Sequence, residues 1–196
     1  ASVSTRTNAV ALLLGTLTLI AGRPGMSDGR TVDSLPRLAA ERAVAAGPAE
    51  RLIDVSSPAE FRAAIDAALP GDTILLAPGT YDLDANIRVT RPGTPDEPVI
   101  VKADALGHVH IRFDAVEGFH VLAPHWTFEN LDIEGVCGTH SECEHAFHVV
   151  GAADGTVIRG SRLREYNAAI KGNGSPGQGG GPWSFPDDVL IEYTEF

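Results

Sequence analysis

The chain has 196 residues, enough for one domain with a sizeable core and too few for two large ones. Its formal net charge of −11, from 26 acidic and 15 basic residues, argues against a nucleic-acid partner, because Lys and Arg supply most of the affinity for phosphates. Hydrophobic residues make up 43%, as in an ordinary globular protein, while 21 Gly and 13 Pro point to many turns and few long helices.

The N-terminal stretch reads as targeting rather than fold. Arg6 precedes an apolar run from Val10 to Ala21, the size of a signal-peptide core and too short to span a bilayer comfortably. A buried hydrophobic helix is the alternative. Gly22 stands where a lipoprotein would carry its lipidated Cys, so a lipid anchor is unsupported. Residues 1–25 are therefore expected to be signal-peptide-like, 26–50 a linker, and 51–196 the folded domain. The expected product is a bacterial secreted or periplasmic monomer with no membrane span in its mature form.

Ser57-Pro58-Ala59-Glu60 is a capping box with Pro at the first helical position. Behind it, Phe61, Ala64, Ile65, Ala68 and Leu69 recur at helical spacing, and Pro70-Gly71 stops the helix. From Thr73 onward, very short β segments alternate with turns, with no helical stretch long enough for a βαβ crossover. An internal repeat sets their arrangement. Thr127-Phe128-Glu129-Asn130-Leu131-Asp132-Ile133 aligns with Val157–Leu163 at an offset of 30, and that copy aligns with Leu190–Phe196 at 33. Each copy is a strand, a bend at the fourth position, then a second strand. Upstream lie Phe119-His120-Val121, Phe147-His148-Val149 and Ile170-Lys171-Gly172. Such a period predicts an all-β fold: a right-handed, single-stranded parallel β-helix with an N-terminal capping helix. The last copy stops at Phe196 inside a strand, so the solenoid is expected to be incomplete at its C-terminus.

At Pro70-Gly71-Asp72-Thr73-Ile74-Leu75-Leu76-Ala77-Pro78-Gly79-Thr80-Tyr81, the sequence resembles the first rung of pectate-lyase-like β-helix proteins. Arg91-Pro92-Gly93-Thr94 and Pro98–Ala103 extend the likeness to chondroitinase B and related alginate lyases. The Glu144–His148 stretch and Ile170-Lys171-Gly172-Asn173-Gly174 also resemble bacterial right-handed β-helix repeat proteins. The resemblance implies a carbohydrate polymer as partner, but neither the Arg-His-Gly-Asn element of chondroitinase B nor the Gly-His-Gly of polygalacturonases is present.

Strand alternation points His120 and His148 outward, and the alignment puts Lys171 in the same column, about 4.8 Å per rung. Polar surface is the plain alternative. For β-elimination on a uronate polymer, Lys171 or His148 could take the proton, with Arg164, Arg162 or calcium stabilising the developing charge. His120, Asn167, Asn173 and Trp183, with Phe185, are the expected substrate contacts, beside a Gly-rich loop at 172–181. Cys137 and Cys143 fit a disulfide in an exported protein; free thiols, or zinc with nearby His140 and His145, are the alternatives. No metal ligand set is assigned, although Glu142, Glu144, Asp187 and Asp188 offer the oxygens calcium prefers. The expected function is a lyase on an acidic glycan; the alternative is a non-catalytic β-helix binding glycan or protein.

Overall fold

The computed structural model describes residues 5–6, 51–177 and 181–196. Most of the expected signal-peptide-like segment and all of the expected linker lie outside the described residues. Within the described part, Thr5–Arg6 (β1) pairs antiparallel with Arg51–Val55 (β2). No described helix is long and apolar enough to cross a membrane.

The helix α1 (Pro58–Asp66) starts where the capping box places it. Ser57 Oγ accepts the Glu60 N–H at 3.3 Å, and Glu60 accepts from the Ser56 N–H at 2.9 Å. Its apolar face buries Phe61, Ala64 and Ile65 over the first rung, with Phe61 edge-on to Tyr81 and Phe119 at 6.1 and 6.2 Å. The Pro70-Gly71 stop is locked by Asp72. That carboxylate is buried, accepts the Leu69 N–H at 2.7 Å, and pairs with the Arg51 guanidinium. Capping, as the sequence implied, covers the exposed end of the solenoid.

Four rungs of three strands follow. They are β3 (Asp72–Leu76), β4 (Gly79–Leu83) and β5 (Ile87–Val89); β6 (Val99–Lys102), β7 (Val109–Phe113) and β8 (Glu117–Val121); β9 (Trp126–Glu129), β10 (Asp132–Gly135) and β11 (His145–Val150); and β12 (Val157–Arg159), β13 (Arg162–Arg164) and β14 (Ile170–Asn173). A short hairpin, β15 (Ser175–Gly177) and β16 (Gly181–Ser184), precedes β17 (Leu190–Glu192). Corresponding strands stack into three parallel sheets. The first runs β2-β3-β6-β9-β12-β17, the second β4-β7-β10-β13 and the third β5-β8-β11-β14. This is the right-handed parallel β-helix the repeat implied.

The repeat register is the observed register. Thr127 pairs with Val157 and Val157 with Leu190, and the fourth position of each copy is the corner between two sheets. Asn130, Gly160 and Tyr193 all turn there with positive φ, at 59°, 57° and 50°. Gly160 has a second reason to be glycine. A Cβ there would stand 2.7 Å from the Asn130 side-chain oxygen.

Stacking in register places like on like. The inward columns Ile74–Val101–Phe128–Ile158, Tyr81–Ile111–Ile133–Leu163 and Phe119–Phe147 fill the interior. Phe119 lies at the centre, with Phe147 stacked at 5.0 Å and Phe113 and Phe128 at 5.4 and 4.9 Å. One expectation needs correction. The Gly-rich stretch at 172–181 is not simply a loop: β14 continues to Asn173, and β15 then pairs antiparallel with β16. In β4, Gly79-Thr80 and Asp82 break the apolar alternation and leave only Tyr81 and Leu83 inward.

Replacing Phe119 by Ala should destabilise the fold by about 3–5 kcal/mol, the range for deleting a fully buried aromatic ring. Urea unfolding followed by far-ultraviolet circular dichroism would measure it, and a loss under about 1 kcal/mol would contradict the stacking.

Candidate functional site

The third sheet carries the expected column. Phe119 pairs with Phe147 and Phe147 with Ile170, so His120, His148 and Lys171 stand in one outward row, and Arg88 on β5 extends it by one rung. The imidazoles of His120 and His148 stack face to face, with centroids 4.9 Å apart and planes 10° from parallel. They are more covered than a solvent-facing row would be, with side-chain exposures of 19% and 14%. Stacking hides one face of each ring, and a carboxylate closes their Nδ1 edge.

That carboxylate is Glu117, which the sequence reading missed. Its Oε1 lies 2.5 Å from His148 Nδ1 and its Oε2 lies 3.3 Å from His120 Nδ1. Glu117 begins β8 three residues before His120 and sits opposite His145 on the next rung. The next residue, Gly118, has no room for a side chain, because a Cβ would meet the Ala146 carbonyl at 2.7 Å. The histidines therefore share one anion but differ in their other contacts. His148 Nε2 lies 2.9 Å from Asn173 Oδ1, so both of its nitrogens face side-chain oxygens. His120 Nδ1 instead has the Arg88 guanidinium at 3.4 Å. Burial, above all, holds His120 below the ordinary histidine value of 6.5; Glu117 pulls it up, while His148 and Arg88 press it further down. Lys171 is exposed at the far end of the row.

The other expected residues are dispersed. Arg164 is not part of this cluster. It lies on β13 in the second sheet, where it donates to the buried Asp132 carboxylate at 3.0 and 3.1 Å; Arg162 and His110 flank the same carboxylate at 3.5 and 3.2 Å. Strand alternation turned Arg164 outward as expected, but on a different face from the histidines. Asn167 sits in the turn before β14, its amide donating to Glu144 at 3.1 Å, away from the row. Asn173 does join it through His148. Trp183 lies on β16 with its ring stacked on Phe185 at 6.3 Å, both more than half exposed.

Cys137 and Cys143 form a disulfide, so neither can ligate zinc as a thiolate. Glu142, Glu144, Asp187 and Asp188 do not converge: Glu142 accepts the Thr139 N–H, Glu144 holds Asn167, and Asp187 and Asp188 belong to the turn before β17. Among the described residues, the metal-capable group is Glu117, His120 and His148, each offering one ligand atom within 4.8 Å of the others. Two nitrogens and one carboxylate do not suit calcium, which takes six to eight oxygens.

A family model for chondroitinase B matches residues 55–119. The chain is also 32% identical to pectate lyase L from Dickeya chrysanthemi over 158 residues, covering 65% of this chain and 37% of that protein. Pectate lyase L from Dickeya dadantii (strain 3937) is 30% identical over the same coverage. This chain is a parallel β-helix with sequence similarity to pectate lyase L. It spans little more than a third of the length of these curated relatives. Solved structures similar to this β-helix include the PL6 family alginate lyase AlyGC, at 18% identity and a TM-score of 0.45 over 57% of this chain and 15% of that one. An alginate lyase from Paenibacillus sp. str. FPU-7 matches at 19% identity and 0.42, over 57% of this chain and 44% of the other.

The charge balance around His120 is open to test. Glu117→Gln removes the one neighbour that raises its affinity for a proton, so His120 should titrate lower still, followed by the pH dependence of its ring resonances in NMR. The sign for stability follows. A depressed folded value means the unfolded chain takes the proton first, so this contribution is present above pH 6.5 and is lost as pH falls through the folded value.

Proposed function

We propose that this β-helix is an exported polysaccharide lyase that cleaves an acidic, uronate-containing glycan by β-elimination. The observation that carries the reading is the Arg88–His120–His148–Lys171 row, in which one stacked imidazole is held neutral and its neighbour faces two acceptors. The likeness to pectate lyase L supports the substrate class, and the disulfide supports an oxidising compartment.

β-Elimination needs a base at C5 of the uronate and a donor for the oxygen leaving C4. These two atoms are neighbours, so base and donor must be neighbours as well. His120 and His148, 4.9 Å apart, satisfy this; His120 and Lys171, two rungs apart at about 10 Å, do not. His120 takes the C5 proton because burial keeps it unprotonated at neutral pH. The electron pair becomes the C4–C5 double bond, the C4–oxygen bond breaks, and His148 gives its Nε2 proton to the leaving oxygen in place of Asn173. Glu117 then faces the Nδ1 edge of both rings throughout. Arg88 and Lys171, at the two ends, supply positive charge for the substrate carboxylates. Lys171 thus serves charge rather than proton abstraction, and Arg88 takes the part expected of Arg164. Where calcium assists such chemistry, its ligands would have to come from outside the Glu117–histidine group.

The test is to incubate the full chain with pectate, alginate and a chondroitin-type glycan, and to follow the ultraviolet absorbance of unsaturated products. His120→Ala should lower kcat by about 10²- to 10⁴-fold, the usual contribution of a positioned base. Rates should fall on the acid side of pH 6.5 as the base becomes protonated. Lys171→Ala should act mainly on KM. Absence of product on all three glycans would sink the lyase reading, and binding without product would favour a non-catalytic β-helix.

A further inference from the structure

The row ends beside a feature that the elimination chemistry does not use. A shallow groove of about 410 Å³ is lined by Gly172, Asn173, Gly174, Phe185 and Pro186. Its floor is the end of β14 at Gly172 and Asn173. One wall is the Phe185 ring, seated directly over Gly174: a Cβ there would come within 2.4 Å of that ring, so glycine is what lets the aromatic lie flat against the strand. Trp183 stacks behind Phe185 with ring planes 27° apart, and the two are 62% and 59% exposed. Exposed aromatic faces of this size are costly to leave in water and are common where a protein grips a ligand.

We infer that this groove is a sugar-binding subsite, in which Phe185, backed by Trp183, stacks on a pyranose ring of the same acidic glycan one residue beyond the bond to be cleaved. Three observations favour a sugar over a protein partner. The groove is continuous with the row, because Asn173 lines it and also contacts His148. Asn173 lies two residues along β14 from Lys171, about 7 Å, so a glycan held at Lys171 reaches the groove without a gap. The surface is also mixed in the way a sugar ring requires: a flat aromatic wall for the C–H face, an amide for hydroxyls, and a cation for the neighbouring carboxylate. The Ser175–Gly177 and Gly181–Ser184 hairpin then gains a purpose, since it carries Trp183 up to back the wall.

This inference rests on the glycan reading, and the experiment separates the two. The chain has two tryptophans, and Trp126 is fully buried while Trp183 is exposed, so acrylamide quenching of fluorescence reports chiefly on Trp183. Hexasaccharides of pectate, alginate and a chondroitin-type glycan are titrated into the full chain, and product formation is followed in parallel. The expected result is protection of Trp183 from quenching by at least one hexasaccharide and less by its disaccharide. Phe185→Ala should weaken binding roughly tenfold, raising KM with little change in kcat. Phe185→Leu, which keeps bulk and removes the ring face, should lose most of the same affinity, and unchanged circular dichroism would show that both variants fold. Product formation with no change in KM in either variant overturns the subsite and leaves the lyase reading standing. Protection that depends on Phe185, without product, overturns the lyase reading and leaves the subsite. Neither protection nor product with any of the three overturns both.

Discussion

Everything in this molecule depends on the in-register parallel stacking of its rungs. Parallel strands spaced about 4.8 Å apart bring each side chain directly over its counterpart one turn earlier. The interior must then accept columns of matching shape, and the exterior must accept columns of matching chemistry. A slip of one residue would turn Phe119 and Phe147 outward and bring His120 and His148 into the core. The aromatic column inside and the imidazole column outside are therefore two consequences of one register. The buried aromatic stack stabilises the arrangement, and the exposed face inherits its spacing.

That inheritance creates an electrostatic problem for which Glu117 is the answer. Two imidazoles, a guanidinium and an ammonium in one row would repel one another if all were charged. Stacking removes water from His120, and the chain responds by keeping that ring neutral while one carboxylate bridges the two histidines. The second sheet resolves a similar crowding by the opposite device, since there the buried Asp132 carboxylate gathers Arg162, Arg164 and His110 around itself. In both places the acid is shared between rungs. This is the arrangement a solenoid favours, because the nearest countercharge to any side chain is on the strand above or below.

The sequence disclosed the stacking more fully than the site. The repeat at 127, 157 and 190 contains both the register and the corner, since Asn130, Gly160 and Tyr193 mark the same turn despite sharing no chemistry. From that alignment, the column of His120, His148 and Lys171 followed by alternation alone. Arg88 was harder to see, because β5 is only three residues long and carries no recognisable copy of the repeat. Glu117 was hidden for a different reason. It lies three residues before His120 and outside the column, and only the leaning of a long side chain across a rung brings its carboxylate to both rings. Arg164 illustrates the converse error: alternation tells which residues point outward but not which of three sheets they leave from.

A fold that sets spacing this strictly also limits how it can evolve chemistry. Residues on adjacent rungs are held about 4.8 Å apart whatever their identity, so a new acid–base pair needs only two substitutions in one column. A group beyond the next rung cannot take part in the same bond-breaking step and is left to bind the polymer on either side. The division of labour we propose along this row follows from that distance. In the proposed reading the central stacked histidines act on one glycosidic bond, while Arg88 and Lys171, one rung further out, meet the neighbouring carboxylates of an extended chain. Beyond Lys171 the row meets a strand end with glycines at 172 and 174, and there the regular spacing gives way to the aromatic wall of Phe185. Register sets the spacing in the centre, and the irregular edge carries the aromatic wall that we infer holds a sugar.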